Sequence, residues 1–204
     1  MSGLFADDRS SVRIKWLASA TNEAWIKQAI ASPIQLLIDH AHCERKAAGF
    51  AVQMMFRYLC EPGLAEALSP LAREELEHFE LVLGVLKARG HYLEPLAAPP
   101  YGSVLSKHIR AEEPGRMLDS FLVAGLIEAR SHERMTLLAL YSPDVGIADL
   151  YQKLLVSEAR HFALYWRLAE ERFEKNEIID RLKELAEVEA EIISTLYPEP
   201  RMHS

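Results

Sequence analysis

Two short runs in this 204-residue chain carry ligand chemistry: Glu75-Leu-Glu-His78 and Glu158-Ala-Arg-His161. Both have the form Glu-x-x-His, and each His is followed by a phenylalanine, Phe79 or Phe162. Residues three apart share a face of a helix, so each run presents a carboxylate and an imidazole together. With 8 His in a Glu-rich chain, about one such run arises by chance, and the pair alone decides nothing. The spacing around it decides more. Glu44 lies 31 residues before Glu75 and Glu128 lies 30 before Glu158, so the two sets are offset by 84 and 83 residues. Each half of the chain repeats one pattern, a Glu followed at a distance by Glu-x-x-His.

The neighbours of these acids at helical spacing are apolar or small: Leu37, Ala41, Ala48, Ala51 and Met55 around Glu44, and Phe121, Ala124, Gly125, Met135 and Ala139 around Glu128. His78 has Leu71, Val82 and Leu86 on its face, and His161 has Leu154, Tyr165 and Leu168. Four buried carboxylates repel one another and are costly unless they take up protons or cations. Two divalent ions would balance four negative charges. Oxygen-rich ligation with one imidazole per metal suits iron or manganese better than zinc, and it is a setting for activating dioxygen.

Helices must position this set. Strand patterns are weak, and apolar residues recur at three and four positions over long stretches, so the expected class is all-α. Ser32-Pro33-Ile34-Gln35 predicts a helix over about 33 to 60, with Ser32 as its cap, and a shorter helix over about 21 to 31 precedes it. Pro62-Gly63 stops the long helix, Ser69-Pro70 marks the next start, and Gly90 supplies a C-terminal cap. Six prolines and glycines break up a segment of about 25 residues, predicted as a crossover. Helices over about 116 to 140 and 147 to 174 follow, then a last one capped by Asn176. Two antiparallel hairpins joined by a crossover predict a ferritin-like four-helix bundle with extra terminal helices, as a single domain over 1–204. In the second hairpin Glu128 and Glu158 stand equally far from Pro143; in the first, Glu44 is further from the turn than Glu75.

Composition excludes several alternatives. The 30 acidic and 23 basic side chains give a net charge of −7, so an anionic partner must be met by a local patch. The longest stretch free of charged residues, Pro95 to Ser106, is too short for a membrane span, which needs roughly 18 residues. The acidic opening predicts no secretory leader, and Cys43 and Cys60 form no metal or redox pair, so a reducing cytoplasm is the expected setting.

At these residues the chain resembles the tRNA-(2-methylthio-N6-isopentenyladenosine) hydroxylases, the MiaE family of the ferritin-like superfamily. The similarity covers most of the chain, including His42-Cys-Glu44-Arg-Lys-Ala-Ala and Leu126-Ile-Glu128-Ala-Arg-Ser-His-Glu. The resemblance implies that Glu44, Glu75, His78, Glu128, Glu158 and His161 hold two iron ions. It implies a monooxygenase that uses dioxygen and external electrons to hydroxylate the isopentenyl side chain of a modified adenosine next to the anticodon. A nucleotide presented by tRNA is gripped by stacking and phosphate contacts. Lys107, His108, Arg110 and Arg116 are candidates for that grip, with Arg9, Arg13 and Lys15 as a second set. No Gly-x-Gly-x-x-Gly run or cluster-binding cysteine set occurs, so a separate reductase is expected.

Other polar and aromatic residues fit structural roles. His132 matches Ala48 of the other half and is assigned to support, and Glu74, Glu77 and Glu80 to the wet side of their helix. Cys43 reads as a small buried hydrophobe, His40 and His42 show no partner pattern, and Trp16, Trp25, Trp166, Tyr151 and Tyr165 read as packing. Two rivals remain: a rubrerythrin-like peroxidase or ferroxidase, and a metal-free helical interaction protein.

Overall fold

The computed structural model describes residues 14–203, and Arg9 and Arg13 of the second basic set lie outside them. The described residues form helices and connections with no strand. They are α1 (Glu23–Ala31), α2 (Pro33–Arg57), α3 (Leu64–Ala88), α4 (Tyr101–Ser106), α5 (Gly115–Tyr141), α6 (Val145–Glu170) and α7 (Lys175–Ser194). The chain divides into two compact units, Ser32–Ala98 and the residues before Ser32 together with those from Pro99 onward.

In the first unit α2 packs along α3. Pro33 starts α2 as expected, but Ser32 makes no capping bond through its side chain. The Ser69-Pro70 signal misleads: α3 begins at Leu64 and Pro70 lies inside it. An interior proline removes the hydrogen bond to the carbonyl four residues back. Leu64, Leu68 and Leu71 are all buried and continue the apolar stripe through Val82 and Leu86, so packing holds the turn that propensity alone would break. The earlier start also balances the hairpin. Glu44 is 13 residues before the end of α2 and Glu75 is 11 after the start of α3, a mismatch of only about 3 Å of rise. Gly90 (φ +76°) ends α3 as predicted: His91 N–H donates to the Leu86 carbonyl and Gly90 N–H to that of Lys87.

In the second unit α5 packs along α6, α1 and α7 lie against α5, and α4 against α7. Asp144 caps α6 by accepting from Ile147 N–H at 3.1 Å. The α5–α6 hairpin is symmetric, with Glu128 13 residues before the end of α5 and Glu158 13 after the start of α6. The α6 helix stops at Glu170 rather than 174, and α7 starts at Lys175, so Asn176 is inside it rather than its cap. The crossover contains the short α4, whose Tyr101 and Leu105 are buried.

The α5 helix is buried on nearly every side. One face carries Glu128; the opposite face carries Arg130, Glu133 and Arg134, all buried. Arg130 donates to Glu189 of α7 at 2.8 and 2.7 Å, to Thr21 at 3.1 Å and to Glu133. Arg134 lies 4.4 Å from the centre of the Trp25 ring and donates to the Met202 carbonyl at 2.5 Å. Trp25 donates to the Arg201 carbonyl and His203 stacks on Tyr101, so the C-terminal residues 201–203 are buried with this network.

Gly125 faces the Trp16 ring, which packs against Trp166 and Phe162. A Cβ there would stand 2.4 Å from Cζ3 of Trp16. Gly125→Ala is expected to displace the indole and cost about 1–3 kcal/mol, measured by thermal unfolding together with the tryptophan signal in near-ultraviolet circular dichroism.

Candidate metal centre

Each unit carries one of the two repeated motifs. In the first, Glu44 comes from α2 and Glu75 and His78 from α3, and all three are buried. Nδ1 of His78 stands 3.5 Å from Glu44 Oε2 and 3.8 Å from Glu75 Oε2. In the second, Glu128 comes from α5 and Glu158 and His161 from α6, again all buried. Nδ1 of His161 stands 3.9 Å from Glu128 Oε2 and 3.8 Å from Glu158 Oε1. The two arrangements repeat each other to within a few tenths of an ångström.

These separations lie at or beyond the limit of a hydrogen bond. Two donor atoms sharing one ion, each about 2.1 Å from it, stand about 3.0 to 3.4 Å apart, so a small inward rotation of the side chains suffices. The donor set fits a divalent metal. Buried carboxylates carry a desolvation penalty of several kcal/mol each, and a cation removes it while the nitrogen and oxygen donors match iron or manganese.

His40 enters this site although its spacing suggested no partner. Its Nε2 contacts Glu44 Oε1 one helical turn away, and the histidine is buried. Burial alone would raise the Glu44 carboxyl, but His40, His78 and Glu75 hold it well below the usual carboxylate range, so Glu44 is an anion. The signal was the four-residue interval from His40 to Glu44. In the second unit His132 is half-buried, and burial holds its imidazole below the usual value while Glu158 opposes that shift. Its ring meets Phe162 edge-on at 6.1 Å.

Cys43 is half-buried rather than fully buried, and burial and Asp39 push its thiol up, which disfavours a thiolate ligand. Glu77 and Glu80 are exposed and Glu74 is half-buried, as the wet side of α3 requires. Of the basic candidates, Lys15, Lys107 and His108 are exposed and Arg116 is half-buried. Arg110 is engaged: its side chain donates to both carboxylate oxygens of Asp119, and its backbone N–H donates at 2.8 Å. Arg181 of α7 donates to the same carboxylate at 2.9 and 3.0 Å.

Burial opposes the charge of Asp119, but the bonds from Arg181 and Arg110 win and lower its pKa from 3.8. Its contribution to stability is therefore complete above the unfolded-state value and is lost as pH falls through the lower folded-state value. Asp119→Asn is expected to flatten the acid limb of the stability profile below about pH 4, read by denaturant unfolding at a series of pH values.

The family model described as tRNA-(MS[2]IO[6]A)-hydroxylase (MiaE) matches residues 9–204. The chain is 39% identical to a Pseudomonas putida protein named tRNA 2-(methylsulfanyl)-N(6)-isopentenyladenosine(37) hydroxylase, over 93% of this chain and 92% of that one. A Salmonella typhimurium protein of the same name is 30% identical, over 94% of this chain and 88% of its own. Among solved structures, one described as Protein 43 with aldehyde deformylating oxygenase activity from Synechococcus is 64% identical, with a TM-score of 0.92 over 94% of this chain and 96% of that one. The fold is all-α and ferritin-like, and the chain belongs to the MiaE family.

Proposed function

We propose that this protein is a non-haem di-iron monooxygenase that hydroxylates the isopentenyl side chain of 2-methylthio-N6-isopentenyladenosine next to the anticodon of tRNA. The observation that carries the reading is the repeat: each of the hairpins α2–α3 and α5–α6 buries one Glu from its first helix against Glu-x-x-His on its second. Glu75, His78, Glu158 and His161 have the donor chemistry and burial of a metal site. In this reading Glu44, Glu75, His78, Glu128, Glu158 and His161 hold two irons, and the two units act as one domain. The names of the Pseudomonas and Salmonella relatives supply the substrate.

Bound iron would supply activation of dioxygen for insertion into a C–H bond; the chain's own residues do the rest. Six ligands set the charge and position of the centre, and His40 orients Glu44 by holding one of its oxygens. Ala41, Ala48 and Ala51 on α2 and Phe121, Ala124 and Met135 on α5 keep water from the carboxylates. Hydroxylation consumes dioxygen, two electrons and two protons and releases water. The electrons come from a separate reductase, and the reaction belongs in the cytoplasm, where tRNA is modified. No helix among the described residues is long and apolar enough to cross a membrane.

The test is metal analysis joined to nucleoside mass spectrometry. Anaerobic reconstitution should yield about two irons per chain. Reductant, dioxygen and tRNA carrying the unhydroxylated nucleoside should then yield the nucleoside 16 mass units heavier, roughly one oxygen atom. The aldehyde deformylating oxygenase activity ascribed to the 64% identical Synechococcus protein favours a second reading, oxygen-dependent loss of the formyl carbon from an aldehyde. Formate release from an aldehyde with tRNA left unmodified would select it.

A further inference from the structure

Between Glu44 and Glu61 the chain has no acidic residue, and this stretch contains Arg45, Lys46 and Arg57. In a protein of net charge −7 that is a local inversion of sign. The exposed residues of α2 here are Arg45, Lys46, Gly49, Val52, Gln53, Phe56 and Arg57. At 100 degrees per residue they fall within an arc of about 140 degrees, a single face. Phe56 is 80% exposed, an unusual position for an aromatic ring, and Leu59 just beyond the helix is 83% exposed. Among the described residues no acid pairs with Lys46 or Arg57, although α3 beside them carries Glu66, Glu74, Glu77 and Glu80. A Cβ at Gly49 would meet nothing within 4 Å, so a ligand can approach the α2 backbone there.

We infer that this face of α2 is an RNA-docking surface, with Lys46, Arg57 and Arg45 on phosphates and Phe56 as the platform for an unstacked base. Charge complementarity and an exposed ring among cations are the two requirements of single-stranded RNA recognition. The crossover candidates meet them less well, because Arg110 is spent on Asp119 and Glu112 and Glu113 sit between it and Arg116. The location has a functional consequence. Arg45 directly follows Glu44, so the helix that lends a metal ligand on one side meets RNA on the other. The inference rests on the tRNA reading above and identifies where that substrate is held.

The test uses full-length, iron-loaded protein and a fluorescein-labelled anticodon stem-loop RNA, with anisotropy followed over a range of salt concentrations. Lys46→Glu with Arg57→Glu is expected to weaken binding about tenfold or more and to reduce the slope of log affinity against log salt by roughly 2. Phe56→Ala is expected to weaken binding about tenfold with the slope unchanged, since stacking releases no counterions. Iron content and helical circular dichroism should match the parent. If charge reversal disturbs folding, Lys46→Gln with Arg57→Gln gives the same slope change, and the conservative Arg57→Lys by itself keeps the parent slope. Binding within twofold of the parent with an unchanged slope overturns the surface, as does a larger loss from Lys107→Glu with Arg116→Glu. So does sedimentation showing that Phe56→Ala splits a dimer of this chain while RNA binding is unaffected. A parent protein that neither binds the RNA nor hydroxylates tRNA overturns the tRNA reading itself, a result separable from failure of the surface alone.

Discussion

Glu128→Ala is expected to lower hydroxylation at least 100-fold and abolish stoichiometric iron binding, while the metal-free protein becomes equally or more stable. The two effects have one cause. In the folded chain Glu128 is buried beside Glu158 and His161. Without a cation two buried carboxylates repel each other, and removing one relieves that cost; with a cation the same carboxylate is a ligand whose loss cannot be made up. The measurement is thermal unfolding with and without ferrous iron under anaerobic conditions. Saturating metal at about 100 times its dissociation constant should stabilise the parent by about 2.7 kcal/mol, and the variant should show no such gain. A metal-free interaction protein predicts no iron-dependent shift in either protein. A parent that binds iron alongside a variant that binds equally well would remove Glu128 from the ligand set.

The motif residues were legible because helical spacing and hairpin symmetry are properties of the sequence itself. Glu128 and Glu158 flank a turn marked by Pro143 at equal distance, and the structure repeats that balance in helix lengths. Glu44 and Glu75 looked mismatched because Pro62-Gly63 reads as the turn; α2 already ends at Arg57 and α3 starts at Leu64, where burial of Leu64 and Leu68 overrides the Ser69-Pro70 start signal. His40 was visible as a residue but not as a partner of Glu44, since a single interval of four is common on any helix. Hardest to see was the charged face of α5. Arg130, Glu133 and Arg134 have the composition of a solvated face, and only packing by Thr21, Tyr101, Glu189 and the C-terminal residues buries them. Those partners come from positions scattered between 21 and 203, and no periodicity links them.

That buried network yields the second large effect. Arg130 is 0% exposed and its guanidinium serves Glu189, Glu133, Thr21 and the Ser19 carbonyl. Arg130→Ala leaves Glu189 and Glu133 as buried anions without their cation, a change expected to cost about 3–5 kcal/mol and lower the melting temperature by roughly 10 °C. If uncompensated charge is the cause, Arg130→Met combined with Glu189→Leu and Glu133→Leu should recover most of the loss, because it removes the anions along with the cation. If the cost were only the cavity left by the arginine side chain, Arg130→Met alone should suffice. Glu128 lies on the opposite face of the same helix, so the variant keeps its ligands, and saturating iron should raise its melting temperature by as much as it raises the parent's. A loss of that iron-dependent gain would mean that the network does more than hold α5 in place, and that it sets the geometry of the metal ligands across the width of one helix.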